Sequence, residues 1–384
     1  MTVDIFFLGQ EQWAKFLGEV RDGDNNMLST LIAASLVAKS IAAPATAPLG
    51  DLDKGAIVTV MRVIDGKLYV GGRFERANRK LVNNIAVWDG SSWSGIGRGV
   101  DGEVKDIVGF KGKIYVCGEF SYAGKSNENE GIAANRIAEW DGSKWNAMGE
   151  RPVDRQIFAL ATDGKELYIG GNFTKINDET ETRAVARWNG KKWESIGGKF
   201  DRYVQTMTFH KGKLYVAGYF AEFGDDSFNN VAVWDGTSWS EAGNGGLSST
   251  VNRLSSDGEN LYAAGKFNIG GKSGIAKFEE SKWSLAVPTS GENYWVHAEA
   301  GKLFIAGDFT EANGKKSHQL AIVDGKNTMT TPEIMYVSHR VIMPFGGAYI
   351  VGGSYGDVQV ETIGGVLKWT GANNLDAYDL VSGN

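Results

Sequence analysis

The sequence is built largely from one motif that recurs seven times between Ile57 and Tyr378. Each copy has an apolar stretch, a second stretch related to Gly-Lys-Leu-Tyr-Val-Gly-Gly, and a gap rich in turn residues. Most copies then continue with Trp-Asp-Gly-x-x-Trp or a variant of it. Because such a unit has room for four short strands, the repeat constrains the fold more strongly than any other feature of the chain. The second stretch starts at Gly66, Gly112, Lys165, Lys213, Glu259, Lys302 and Ala348.

Repeats of four short strands are typical of a β-propeller, in which each repeat forms one blade around a central axis. The apolar stretches, such as residues 57–63, predict the innermost strands, which line the central channel. Pairs such as Asp65-Gly66 predict tight hairpin turns, since glycine adopts the positive φ that these turns require. The sequence therefore predicts an all-β, seven-bladed β-propeller over residues 51–384, preceded by a short N-terminal helical segment.

Two tryptophans flank an Asp-Gly or Asn-Gly turn in the first four repeats, as in Trp88 and Trp93. This spacing predicts that the two rings lie on adjacent antiparallel strands near one end of a blade. Large flat side chains fill the widening gap between blades at the outer radius efficiently. We therefore interpret these tryptophans as packing between blades, with a ring of carbohydrate-stacking aromatics as the alternative.

With Gly71-Gly72 after the second strand and Trp88-Asp89-Gly90 before the second tryptophan, the chain resembles the kelch and galactose-oxidase-type propeller family over residues about 56 to 380. Strict kelch repeats carry Tyr-Asp-Pro where this chain has Trp-Asp-Gly. The repeats look more similar to the divergent Trp-Asp-Gly propeller repeats of bacterial surface and phage-associated proteins. This resemblance implies a propeller fold and a binding role.

Galactose-oxidase chemistry needs copper held by two tyrosines and two histidines, with one tyrosine crosslinked to cysteine. Here the histidines are spread over four repeats, and Cys117 stands in a repeat strand as a small buried filler. We therefore expect no cofactor, no metal site and no catalytic residue, in a protein that is not an enzyme. A glycan-active or lyase-type enzyme remains open as another hypothesis. The four histidines are His210, His297, His318 and His339.

The charge of the chain argues against one class of partner. The sequence has 40 basic and 46 acidic residues, well mixed, for a formal net charge of −6. Since binding to a phosphate backbone requires a basic stripe, we expect no nucleic-acid partner.

Three long loops, at residues 120–135, 173–183 and 220–230, join the second and third strands of repeats two to four. They are expected to emerge on one face of the disc, and functional residues are concentrated on such loops. A binding surface is one interpretation, and merely longer solvated loops are the other. The candidate binding residues are Tyr122, Asn127, Asn129, Asn177, Glu179, Phe223, Asp225 and Phe228.

The first fifty residues do not belong to the repeat and predict two short helices, at 10–20 and 27–42, each with one apolar face. Such faces must dock on the propeller, on another copy of the segment or on a partner, and we interpret residues 1–50 as an assembly anchor. Residues 27–47 fit a helix, an anchor or an export signal, and no stable membrane span is expected. The anchor residues are Trp13, Phe16, Leu17, Leu28, Leu31, Ile32 and Leu36.

Taken together, these patterns predict a non-enzymatic structural or interaction protein. The propeller would be a rigid platform on a larger homo- or hetero-oligomeric assembly with protein partners, such as a bacteriophage virion, where it would be a tail or capsid accessory protein. A virion or cytoplasmic location is favoured. The alternative is an exported, extracellular propeller that binds a glycan at the cell surface.

Overall fold

The computed structural model describes residues 52–53, 55–124, 131–149, 152–177, 180–243, 245–330, 337–355 and 366–369. All of them belong to one compact unit, Ala47–Asn384. Within these ranges the regular elements are strands, and no helix occurs. The predicted N-terminal helices, and with them all seven anchor residues, lie outside the described residues.

The first repeat forms one antiparallel sheet with a small hairpin inserted before its third long strand. The sheet order is β1-β2-β5-β6, and β3 pairs only with β4. The turn between the first two strands contains Gly66, whose φ of 73° fits the predicted hairpin. The strands are Ile57–Ile64 (β1), Lys67–Arg73 (β2), Arg76–Ala77 (β3), Lys80–Leu81 (β4), Ile85–Trp88 (β5) and Trp93–Gly95 (β6).

Repeats two to four follow the same plan, each with a four-stranded sheet and a separate two-stranded hairpin. The second repeat has Glu103–Phe110 (β7), Lys113–Glu119 (β8), Tyr122–Ala123 (β9), Ile132–Ala133 (β10), Ile137–Trp140 (β11) and Trp145–Ala147 (β12). The third has Ile157–Thr162 (β13), Leu167–Gly171 (β14), Lys175–Ile176 (β15), Thr180–Glu181 (β16), Val185–Trp188 (β17) and Trp193–Ser195 (β18). The fourth has Tyr203–His210 (β19), Lys213–Tyr219 (β20), Glu222–Phe223 (β21), Asp226–Ser227 (β22), Val231–Trp234 (β23) and Trp239–Glu241 (β24).

The later repeats vary this plan. In the fifth, the hairpin strand pairs with the start of the third long strand, so that the sheet has five strands. The fifth repeat has Val251–Ser256 (β25), Leu261–Gly265 (β26), Asn268–Ile269 (β27), Lys272–Glu279 (β28) and Lys282–Pro288 (β29). The sixth has Glu292–Glu299 (β30), Lys302–Asp308 (β31), Glu311–Ala312 (β32), Lys315–Lys316 (β33), Leu320–Asp324 (β34) and Asn327–Thr330 (β35). The last has Val337–Phe345 (β36), Ala348–Tyr355 (β37) and Val366–Trp369 (β38).

The sheets are arranged in a ring. The described strands form six large sheets, and the first of these also contains β36 to β38, which join it through the bridge between Ile57 and Ser354. The inner strands β1, β7, β13, β19, β25 and β30 pack side by side in this order. This arrangement confirms the predicted all-β propeller.

The core of the protein lies between neighbouring sheets. One buried cluster, for example, combines Val60 and Ile85 of the first repeat with Val104 and Ile107 of the second. A sheet that packs on both sides in this way must bury both faces of its strands, which explains the nearly continuous apolar runs in the sequence.

The paired tryptophans bind successive sheets together at the outer radius. Trp140 and Trp145 are cross-strand partners with ring centroids 5.4 Å apart, which confirms the predicted pairing. The indole N–H of Trp145 donates to the carbonyl of Gly97, in the preceding repeat, at 2.9 Å. A Cβ at Gly97 would lie 2.1 Å from the Trp140 ring, so that only glycine leaves room for this contact. The same indole donation to the preceding repeat is made by Trp193, Trp239 and Trp283.

Candidate binding face

Every inner strand begins at the same face of the ring, which we call the mouth face. In the fourth repeat Tyr203, at the start of β19, pairs with Tyr219, at the end of β20. The chain therefore leaves the second strand at this face, and the hairpin β21–β22 that follows lies on it. Since the other repeats share the topology, one face of the propeller carries all of the two-stranded hairpins.

In each of the first six repeats, a side chain in the loop before the inner strand accepts hydrogen bonds from the hairpin of the same repeat. In the second repeat, the carboxylate of Asp101 accepts hydrogen bonds from the backbone N–H groups of Ser121 and Tyr122, at 2.8 and 2.7 Å. In the sixth repeat, the hydroxyl of Ser290 has the same role. The corresponding acceptors in the first, third, fourth and fifth repeats are Asp53, Asp154, Asp201 and Ser248.

The third repeat shows the electrostatic consequence of this contact. Asp154 accepts the backbone N–H of Thr174 at 2.8 Å and its hydroxyl at 2.7 Å, and the N–H of Lys175 at 3.0 Å. Burial raises the pKa of Asp154, but these hydrogen bonds outweigh it and leave the pKa below its ordinary value. The carboxylate is thus ionised near neutral pH and holds the hairpin through charge-assisted bonds.

The inner strands share a second feature at the mouth face. Each has a β-bulge within its first four residues, where one extra residue stands opposite the second strand. Bulges twist a strand locally and redirect a side chain, and they are common at barrel rims and beside binding sites. In the first six repeats the bulged residues are Thr59, Lys105, Phe158, Gln205, Asn252 and Tyr294.

One sector of the mouth, in repeats three and four, is aromatic. Phe158 contacts Tyr203 edge-on with ring centroids 5.8 Å apart, and Tyr203 lies 5.8 Å from Tyr219. The guanidinium of Arg202 covers the Tyr219 ring at 4.6 Å. Tyr219 is nevertheless 40 % exposed, so that this row of rings, which we call the aromatic row, is open to a ligand.

The corresponding positions in the second repeat carry charge. Glu103 and Glu119 are cross-strand partners at the start of β7 and the end of β8. Lys105 lies between them, with its Nζ 2.9 Å from Glu103 and 3.3 Å from Glu119. The mouth is therefore not uniform around the ring, because equivalent positions differ in chemistry from one repeat to the next.

Two of the predicted binding residues, Tyr122 and Asp225, are exposed and lie on the two-stranded hairpins. Tyr122, on β9, is 40 % exposed and its backbone is held by Asp101. Asp225 lies exposed in the turn between β21 and β22. Asn177 is also at a hairpin turn, with φ of 52°, but its side chain donates to the carbonyl of Trp193 at 3.0 Å. Its amide thus fixes the hairpin on the sheet.

The predicted pair of phenylalanines is used for packing. Phe223 and Phe228 stack on each other with centroids 5.0 Å apart, and Phe223 also contacts Phe200. Phe228 is only 5 % exposed, because it fills the space between its hairpin and the fourth sheet. Ligand binding by Phe223 and Phe228 stays a prediction, and their packing against neighbouring rings does not favour it. Asn127, Asn129 and Glu179 lie outside the described residues.

The sequence interpretation missed the aromatic row. Its signal is visible once the repeats are aligned on the buried valines that open the inner strands, such as Val58, Val104 and Val204. The residue before each of these varies widely, from isoleucine to glutamate to tyrosine. Variation beside a buried position that is valine in most repeats marks a side chain that the fold does not need.

Within the described ranges, no three His, Cys, Asp or Glu side chains are close enough together to hold a metal ion. Nor do those ranges contain a helix of the length and hydropathy needed to cross a membrane.

Comparison with known proteins gives similarity in fold alone. No family model and no curated protein matches the sequence. One similar solved structure is the computationally designed Ika8 protein, with 12 % identity, 79 % of this chain and 83 % of that chain covered, and a TM-score of 0.46. Another is the β-propeller domain of the Trilobed protease from Pyrococcus furiosus, described as having an open velcro topology. It has 12 % identity, 83 % and 96 % of the two chains covered, and a TM-score of 0.48. Neither similarity bears on function.

Proposed function

We propose that this chain is a non-enzymatic interaction protein that binds its partner on the mouth face of a rigid propeller. The observation that carries the proposal is the repeated fixing of the hairpins, exemplified by Asp101 and Ser290. A surface that is ordered before binding loses little conformational entropy when a partner docks, so preorganisation favours affinity. The indole hydrogen bonds between sheets support the same role, because they hold neighbouring hairpins at fixed separations.

In this proposal the platform has seven blades, of the divergent Trp-Asp-Gly type that resembles kelch repeats. The last blade would consist of β36 to β38, since β36 packs beside both β30 and β1. Residues 1–50 would attach the platform to a larger assembly, such as a bacteriophage tail or capsid. The apolar spacing of Trp13, Phe16 and Leu17 in the sequence supports an anchor of this kind.

A second candidate, an exported propeller that binds a cell-surface glycan, is favoured by the aromatic row. Sugar rings present apolar faces of C–H groups that stack on exposed aromatic rings, and Tyr219 offers such a ring. Arg202, beside it, would supply hydrogen-bond donors to hydroxyl oxygens. This candidate would also require export through residues 27–47.

The test is capture of partners by the full chain, followed by comparison of variants on the two faces. The mouth-face variant is Tyr219→Ala combined with Arg202→Ala, and the control is Lys192→Ala, in the turn before β18 at the opposite face. We expect partner binding to weaken by about tenfold or more in the first and to be unchanged in the second. Equal binding by both variants and the unmodified chain would contradict the proposal.

A glycan array distinguishes the two candidates. If a glycan is the ligand, the unmodified chain binds it without any other protein present and Tyr219→Ala alone abolishes binding. If a protein is the partner, the array is blank and a captured protein is lost with the double variant.

A further inference from the structure

Three charged side chains lie on different inner strands of the ring, and two of them form an ion pair. Arg62, on β1, donates from Nη2 to Asp106, on β7, at 2.6 Å. Asp106 is 2 % exposed, and its other carboxylate oxygen accepts the backbone N–H of Leu160 at 3.0 Å. Both oxygens of this carboxylate are thus engaged, and its charge is balanced by Arg62.

The third group, Arg253 on β25, has no such balance. Its guanidinium carbon lies 4.1 Å above the ring of Trp295, which is buried on the neighbouring inner strand β30. Its Nε is buried and has no hydrogen-bond partner among the described residues, and Arg253 forms no ion pair with any of them. A guanidinium that is stacked and fixed but unpaired leaves its donors free for a ligand.

The charges influence one another across the ring. The strand β25 is flanked by β19 and β30 and is not a neighbour of β1 or β7. Burial nevertheless combines with the positive charge of Arg62 to lower the pKa of Arg253 to about 9, while Asp106 raises it. Arg253 therefore remains charged at neutral pH, although the charge is destabilised by its surroundings. The three groups together carry a net charge of about +1 at neutral pH.

We propose that the centre of the ring binds a small monoanionic carboxylate, with the guanidinium of Arg253 as its principal ligand. A planar guanidinium matches a carboxylate through two parallel N–H···O bonds, and Trp295 fixes the plane of that fork. One negative charge balances the formal net charge of Arg62, Asp106 and Arg253, whereas a phosphate carries nearly two. The site lies just below the mouth, since Arg253 follows the bulged residue Asn252. It does not depend on partner binding at the hairpins.

Isothermal titration calorimetry of the full chain with matched acidic and neutral probes tests the proposal. The probes are glucuronate with glucose, and N-acetylglutamate α-amide with N-acetylglutamine α-amide, so that an acidic sugar and an acidic peptide side chain are distinguished. We expect at least one carboxylate to bind and its neutral twin not to bind. Failure of both carboxylates to bind at millimolar concentration, or equal binding of a neutral twin, would overturn the proposal.

Variants of two arginines test whether Arg253 is the residue that binds the carboxylate. Arg253→Gln should weaken binding about tenfold or more, because it removes the charge and the fork. Arg155→Gln, at an exposed arginine in the loop before β13, should bind as the unmodified chain does. The carboxylate should also raise the melting temperature of the unmodified chain and of Arg155→Gln but not that of Arg253→Gln.

A third variant guards against loss of folding. Arg253→Lys keeps the charge but not the planar fork, and we expect binding between those of the unmodified chain and Arg253→Gln. If Arg253→Gln does not fold, Arg253→Lys still tests the proposal. Unchanged carboxylate binding by a folded Arg253→Lys protein would overturn the role of the guanidinium fork. Unchanged binding by a folded Arg253→Gln protein would overturn the site.

Discussion

The outer strands and the mouth of the ring are made by the same repeat, yet they differ in how closely successive copies agree. At the outer strand the first five repeats all keep a tryptophan, in Trp93 and its four equivalents. At the mouth the residue that opens the inner strand is isoleucine at 57, glutamate at 103 and tyrosine at 203. One region is constrained by packing, and the other is free to vary.

The difference has a physical origin. Trp193 is buried, contacts Trp188 at 5.1 Å and donates its indole N–H to the preceding repeat, so that almost any other side chain leaves a cavity and an unpaired carbonyl. Tyr219 is 40 % exposed, so that its replacement leaves no comparable cavity. The comparison indicates that the outer strands stabilise the propeller, while the mouth is where binding can be specified.

The largest expected effect comes from the outer strand. Trp193→Ala should lower the free energy of unfolding by about 3–5 kcal/mol, because it creates a large cavity between two sheets. Tyr219→Ala should change it by about 0.5 kcal/mol or less. Urea unfolding of both variants, followed by circular dichroism, measures the contrast. Similar losses in the two variants would remove the distinction between the regions.

The hydrogen bond of the same indole can be separated from its volume. Trp193→Phe fills much of the space but leaves the carbonyl of Met148 without its donor. We expect Trp193→Phe to lower the free energy of unfolding, but by less than Trp193→Ala does.

The second-largest effect on the free energy of unfolding is expected at the hairpins, which lie on the mouth face but are held by the loops before the inner strands. Asp101→Ala leaves the N–H groups of Ser121 and Tyr122 without their acceptor, and it should cost about 1.5–3 kcal/mol of unfolding free energy. Asp101→Ser should restore part of the loss, because Ser290 serves as this acceptor in the sixth repeat. Equal losses in the alanine and serine variants would indicate that the carboxylate does not act through these bonds.

The sequence was sufficient for features that recur in every copy. The inner strands and the tryptophan pairs follow from local periodicity, which needs no knowledge of neighbouring sheets. The hairpin caps also have a local signal, since Asp101 precedes its partner Ser121 by the same twenty residues as Asp201 precedes Ala221.

The features that single-sequence reasoning could not reach depend on contacts between different repeats. Phe158 meets Tyr203 only because a bulge redirects it toward the next inner strand. Arg253 stacks on Trp295 only because the ring places the inner strands of two repeats side by side. Conversely, the sequence places Phe228 in a loop, but its side chain is buried beneath the short hairpin.

The smallest effect tests the turn between the outer strands and depends on pH. In the first repeat, Asp89 accepts the N–H groups of Ser91 and Ser92, both at 2.8 Å. Hydrogen bonds from Ser92 and then Ser91 lower the pKa of Asp89 from 3.8 to about 2. A carboxylate whose pKa is lower in the folded protein than in the unfolded chain stabilises the fold above its unfolded value. That contribution is lost as the pH falls from about 4 to about 2.

Asp89→Asn keeps an acceptor oxygen in the turn and removes the titration. Asn189 already accepts the same pair of backbone N–H groups in the third repeat, at 3.0 and 3.1 Å. We expect the urea midpoint of the variant to be little changed at pH 7, and its fall between pH 4 and pH 2 to be smaller than that of the unmodified chain. The same fall in both proteins would contradict this account. Because Asp89 is exposed and solvent screens its charge, we expect a modest effect, which sets the outer turns apart from the buried tryptophans that they connect.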